Sequence, residues 1–231
     1  MRIIRDDKRI KRYGQIGQIL GLAGLVVLIG GMYISFRMPN LFSIAWLALL
    51  VGFTLSQISI FLSNRYGRRP RPDEHLDAAL KGLDDRYTLY HYAAPTSHML
   101  LGPAGLWVLL PRHQAGKITF EKGRWKQRGG GVFQAYLRLF AQEGLGRPDL
   151  DVDFETDKIK KFIQKRAPEL PAPEIQTALV ITNEKAEIAD VENAPFPTVE
   201  VKKLKELIRK KAKEKSLPAE KLEALQQAFE S

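Results

Sequence analysis

The run Asp149-Leu150-Asp151-Val152-Asp153-Phe154-Glu155-Thr156-Asp157 sets an acid at every second position. In an extended chain, side chains alternate between faces, so five carboxylates would share one side and Leu150, Val152 and Phe154 the other. Asp151, Asp153 and Glu155 are then the side chains that would collect a divalent cation, which prefers oxygen ligands. The run lacks the glycine and spacing of a calcium loop, and a solvated edge strand or loop explains the same pattern. All four histidines, His75, His91, His98 and His113, fall within 39 positions. Their spacings fit no usual helical zinc pair and the chain has no cysteine, so His98 reads as a buried, hydrogen-bonding strand residue.

Cationic residues mark two further places. Arg124, Lys126 and Arg128 flank Trp125, a pattern suited either to stacking on nucleic acid or to a twisted edge strand with one inward tryptophan. Between Lys202 and Lys215 eight basic residues, Lys203, Lys210 and Lys211 among them, surround the stripe Leu204, Leu207, Ile208 and Ala212. Such a helix rests on acidic lipid, touches nucleic acid, or simply presents a solvated face. Gly129-Gly130-Gly131 lacks the Lys-Ser/Thr of a phosphate loop and reads as a connector.

The elements that would hold these residues follow from periodicity. Leu76, Ala79, Leu80 and Leu83 repeat at helical spacing behind Asp73, a suitable N-cap. Tyr87–Tyr92 is rich in β-formers, and Ser97–Arg112 reads as two apolar strands joined by Gly102-Pro103-Ala104-Gly105. Gly116–Phe120 alternates before a Lys122-Gly123 turn. Val132, Ala135, Tyr136, Leu139 and Phe140 predict a second helix, and Ile159, Phe162 and Ile163 a third that stops before Pro168. Thr177–Thr182 predicts a buried strand, Val199–Val201 a short one, and helices from about Lys202 end with Leu222, Leu225 and Phe229 on one side. The sum is an α/β sandwich with a mixed sheet.

The acidic helix start Asp73-Glu74, the hairpin His98–Leu109 around Gly102-Pro103-Ala104-Gly105, and Gly116-Lys117-Ile118 soon after resemble the nuclease-related domain, NERD. The similarity is best over residues 73–126. It implies a restriction-endonuclease-like PD-(D/E)XK core, Mg²⁺ as cofactor and nucleic acid as substrate. The positions matching the family's site are Glu74, Ser97, Leu110 and Arg112, where an aspartate, a glutamate and a lysine would stand at the last three. A hydroxyl and a hydrocarbon replace the two acids, and a permanently charged guanidinium replaces the base. The resemblance therefore implies a scaffold without its catalysis, with no cofactor expected and Arg112 left to hold a phosphate. An active nuclease with relocated acids, and a purely structural part of a membrane complex, are the alternatives.

Before this domain, no charged residue occurs in Tyr13–Phe36 or in Met38–Asn64, and each run exceeds the roughly 20 residues that cross a bilayer. Two spans, about 16–36 and 41–63, joined at Arg37-Met38-Pro39-Asn40, predict a hairpin. Six basic residues precede the first span and Arg65, Arg68, Arg69 and Arg71 follow the second, against Arg37 between them. This bias places a basic N-terminus (1–15), a Pro-rich linker (64–72) and the domain (73–231) in the cytoplasm; the setting expected for the hairpin is the inner membrane of a prokaryotic cell. A cleaved signal peptide is disfavoured by the length of the first run and the second span behind it. The first 72 residues carry 11 Lys/Arg against two Asp/Glu and the remainder 25 against 24, so the net +10 belongs mostly to the membrane flanks. A DNA-wide electrostatic footprint is excluded. Gly17/Gly21 and Ala48/Gly52 permit close helix packing, within the hairpin, in self-association or with a protein partner. The spans hold no Asp, Glu, Lys, Arg or His, which argues against a transport path.

Overall fold

A computed structural model describes residues 1–129 and 144–230. In chain order the elements are β1 (Arg2–Arg5), α1 (Asp7–Arg37), α2 (Phe42–Leu62), α3 (Pro72–Leu80), β2 (Thr88–His91), β3 (His98–Gly102), β4 (Gly105–Arg112), β5 (Gly116–Glu121) and β6 (Arg124–Arg128). They continue as α4 (Pro148–Arg166), β7 (Ile175–Ile181), β8 (Ala186–Ile188), β9 (Thr198–Glu200), α5 (Leu204–Glu214) and α6 (Ala219–Glu230). The described residues divide into two units: Asp7–Arg71 belongs to one, and Met1–Asp6 joins residues 72–129 and 144–230 in the other. The helix expected over Val132–Phe140 lies outside the described residues, as do Gly130 and Gly131.

In the first unit α1 and α2 are both long and apolar enough to cross a membrane, and they pack antiparallel. Buried Ile10, Gly17, Gly24 and Gly31 recur every seven residues along α1, which keeps one seam facing its partner. A Cβ on Gly24 would sit 3.0 Å from Ser56 Oγ and 3.1 Å from the Gly52 carbonyl oxygen, and one on Gly31 would sit 2.9 Å from Ala48 Cβ. Ser59 Oγ donates to the Gly17 carbonyl at 2.7 Å. The small-residue pairs read from the sequence thus line the hairpin's own interface.

The second unit is built on a six-stranded mixed sheet, order β1-β2-β3-β4-β7-β9, with β5 central in a separate three-stranded sheet, order β6-β5-β8. β2, β3 and β4 form an antiparallel meander; β7 runs parallel to β4, β9 to β7 and β1 to β2. The β3–β4 turn depends on its glycines: Gly105 has φ +94°, and any side chain on Gly102 would strike the Tyr87 ring. One sheet face buries Tyr90, Met99, Leu101, Val108 and Leu179 with Val152, Ile159 and Ile163 of α4 and Leu222 and Leu225 of α6. The other buries Leu89, Leu100, Trp107, Leu109 and Val180 with Leu76 and Leu80 of α3 and Leu204 and Ile208 of α5. Alternation along each strand supplies both faces. Lys205 Nζ and Arg209 Nη2 donate to the carbonyls of Lys81 and Gly82, capping the exit of α3 with positive charge.

Three expectations change. Residues 2–5 are not part of a plain basic terminus but an edge strand of the second unit, since Ile3 and Ile4 give this stretch enough β character to pair with β2. Asp73 stands in the first turn of α3, after Pro72, rather than at its cap. The acidic run 149–157 is helical, not extended. Pro148 opens α4, acids in its first turn favour the helix dipole, and burial of Val152, Glu155, Ile159 and Ile163 follows the helical period. Leu150 and Phe154, which an extended run would set on one face with Val152, are exposed, whereas Val152 is buried.

Candidate functional site

Met99 pairs with Val108, and continuing this register by two residues sets Ser97 opposite Leu110. Arg112 closes β4 on the same side as Leu110, next to β7, where Arg112 lies in register with Ile181. The Thr182 N–H donates to the Arg112 carbonyl at 2.9 Å. The sheet therefore gathers Ser97, Leu110 and Arg112, three of the positions the resemblance marks, at one end. The fourth, Glu74, stands on α3, which packs on the opposite sheet face from Leu110; His75 beside it stacks on His113, ring centroids 5.8 Å apart. Burial holds the His75 imidazole below its ordinary pKa, against the opposing pull of Glu74.

Helix α4 brings two acids to this end. Arg112 Nη2 is ion-paired with Asp151 Oδ2. One turn on, buried Glu155 accepts from the Ser97 N–H at 3.3 Å, and its other oxygen lies 3.3 Å from Lys158 Nζ. Asp153, two residues from either, is exposed on another face of the helix. Leu110 is buried in the apolar layer. Two carboxylates and two cations thus balance within one cluster, and the guanidinium occupies the acid that a metal ion would need. Among the described residues no group of three or more His, Asp or Glu side chains is arranged to hold a metal.

The other cationic candidates are mostly engaged. Trp125 is buried, its indole N–H 3.1 Å from Thr198 Oγ1 and its ring stacked on Phe196 at 4.6 Å, so it offers no face to a base. Lys126 and Arg128 both bind Glu121, at 3.0 and 2.9 Å. The Lys126 hydrogen bond first, then that of Thr119, holds the Glu121 carboxyl below its usual range. Arg124 is exposed at the start of β6. On the terminal helices Lys203 pairs with Glu200 and Lys211 with Glu214, Lys202 pairs with Glu184 and Lys215 with Glu174, and Lys210 is exposed. Four of the eight cations of this patch are thus paired with carboxylates.

One polar cluster was not anticipated. Arg5, His91 and His98 form a row across β1, β2 and β3 beneath Asp73 and Asp77 of α3. Arg5 is ion-paired with Asp77, and its Nε lies 3.1 Å from Asp73 Oδ2. Asp77 Oδ1 is 3.0 Å from His91 Nε2, and His91 Nδ1 is 2.9 Å from His98 Nδ1. Both imidazoles and Asp73 are buried. The sequence held one signal, histidines seven apart on either side of Ala93-Ala94-Pro95. Their partner Arg5 belonged to what reads as a membrane flank.

The chain matches no family model, no curated protein and no solved structure.

Proposed function

We propose that this is a membrane-anchored, nuclease-like domain that has lost hydrolysis and serves as a cytoplasmic binding or assembly module. The ion pair between Arg112 and Asp151 carries this reading. It stands where the resembling family would place its lysine and metal, and it satisfies internally the charge that a metal would otherwise supply. The order of helix, antiparallel meander, helix and parallel strand, with Ser97, Leu110 and Arg112 gathered at one end, supports a restriction-endonuclease-like core of the NERD kind. The two apolar helices and their basic flanks support a prokaryotic inner-membrane hairpin with both termini in the cytoplasm.

A second reading has its own observation. Asp151 and Glu155 are acids relocated to the matched positions, so an active metal-dependent nuclease would draw its ligands from α4 and Mg²⁺ from solution. The assay that decides uses the full chain in detergent micelles with single- and double-stranded DNA and RNA, in Mg²⁺ and Mn²⁺. No cleavage is expected. Cleavage that disappears in Asp151→Ala or Glu155→Ala would establish the second reading instead. Reporter fusions at Pro39 and at the C-terminus test orientation; a cytoplasmic Pro39 would refute it.

A further inference from the structure

The first two turns of α1 carry Lys8, Arg9, Lys11 and Arg12 against a single acid, Asp7. Lys11 and Arg12 stand three and four residues beyond Lys8, a spacing that sets Cβ atoms about 5–6 Å apart on one side of a helix. All three are exposed and, among the described residues, none is joined to a carboxylate. Like charges at these spacings repel and cost the helix stability until an anion from outside answers them. Beyond Gln15 the same face continues into Ile19, Leu22, Val26 and Ile29, each more than half exposed. It lies across the helix from the seam of Gly17, Gly24 and Gly31 that packs on α2, and its apolar part is the part that meets lipid.

Length along the helix gives the depth of the cations. Tyr13 and Tyr33 are 20 residues apart on α1, about 30 Å at about 1.5 Å per residue, which is the hydrocarbon thickness of a bilayer. Tyrosine rings favour that boundary. Tyr13 is held there by stacking on Tyr66 at 5.3 Å, with the Arg9 guanidinium 5.9 Å from its ring. Arg12, Lys11 and Lys8 then stand about 1.5, 3 and 7.5 Å outside the hydrocarbon. The headgroup layer is about 5–7.5 Å deep on each side, so these long side chains work within it.

We propose that Lys8, Lys11 and Arg12 form a docking surface for the headgroups of net-anionic phospholipids in the leaflet around the start of α1. The inference rests on reading α1 and α2 as membrane spans and is indifferent to which side that leaflet faces. The Arg12 guanidinium grips a phosphate through two parallel hydrogen bonds, and the ammonium groups of Lys8 and Lys11 donate to its other oxygens. A zwitterionic lipid brings its own cation, which competes for the phosphate and is repelled by this face; a net-anionic lipid brings none. The last turn of α1 offers only Arg37, so the preference belongs to one leaflet.

The test places the full chain in phosphatidylcholine vesicles with a trace of spin-labelled lipid and reads, by paramagnetic resonance, the fraction of label held against the protein. Spin-labelled phosphatidylglycerol is compared with spin-labelled phosphatidylcholine. Each basic residue at a headgroup is worth about fivefold; diluted over the other lipid contacts, a preference of about threefold or more for phosphatidylglycerol is expected in the wild type. It should fade in about 1 M salt, a readout that needs no variant. The triple variant Lys8→Gln, Lys11→Gln, Arg12→Gln should bring the two lipids to parity, whereas Lys8→Arg with Lys11→Arg, and separately Arg37→Gln, should leave the preference in place. Parity in the wild type, or a preference that the triple variant keeps, would overturn the docking surface and leave the spans standing. No held lipid of either kind would overturn the spans as well.

Discussion

Replacing Arg5 by alanine is the most informative perturbation of the second unit. Asp73 is fully buried and Asp77 partly so, and both face the Arg5 guanidinium. Removing that cation leaves a buried carboxylate short of its charge partner, a change that costs about 3–5 kcal/mol when an ion pair is fully buried. Arg5 itself is 22% exposed, so water reaches part of the gap and the lower end, about 3 kcal/mol, applies. At roughly 2–4 °C per kcal/mol for a unit of this size, the midpoint should fall by about 6–12 °C. The assay is thermal unfolding of the full chain in micelles, followed by the near-ultraviolet signal of buried Trp107 and Trp125. Arg5→Ala combined with Asp73→Asn should recover a good part of the loss, because the uncompensated charge is gone. A shift of less than about 2 °C, or a double variant as unstable as the sum of the single ones, would refute the argument that β1 is held electrostatically.

Further outcomes follow from other contacts. Gly24→Leu sets a side chain against Ser56 Oγ and the Gly52 carbonyl, already 3.0 and 3.1 Å from a bare Cβ; disulfide trapping between cysteines placed at positions 21 and 59, efficient in the parent, should be lost. Trp125→Ala empties a site between Phe120, Phe196 and Thr198 and should cost about 3–5 kcal/mol in denaturant unfolding. Burial works against ionisation of Asp77, but the His91 hydrogen bond and Arg5 outweigh it and hold the carboxyl below its ordinary 3.8. Its contribution to stability is therefore complete above about pH 4 and is lost as acid takes the pH down through the lowered value; Asp77→Asn should flatten that limb of the stability profile.

The sheet was largely legible in the amino-acid order. Apolar alternation and the glycine turn specify β3 and β4, and Thr177–Thr182 is apolar enough to be a central strand, which β7 is. Periodicity also marked the terminal helices, whose Leu204, Ile208, Leu222 and Leu225 are buried. Two segments misled for identifiable reasons. Residues 149–157 satisfy a period of two in both charge and hydrophobicity, yet Pro148 and the downstream Ile159 and Ile163 impose the helical period on them. Arg2-Ile3-Ile4-Arg5 is too short and too basic to separate from a membrane flank; only pairing with β2 makes it a strand. The site followed the same division. Ser97, Leu110 and Arg112 come together through strand register alone, whereas Asp151 and Glu155 reach Arg112 and Ser97 only because α4 is a helix that sets them one turn apart.

The central claim is that the matched site is closed by its own ion pairs, and a Mn²⁺ titration of the full chain in micelles, read by the paramagnetic resonance of free Mn²⁺, tests it most directly. The account predicts no stoichiometric site in the wild type, and Arg112→Ala alone should expose Asp151 to the ion. One equivalent bound by the wild type and lost in Asp151→Ala would contradict it.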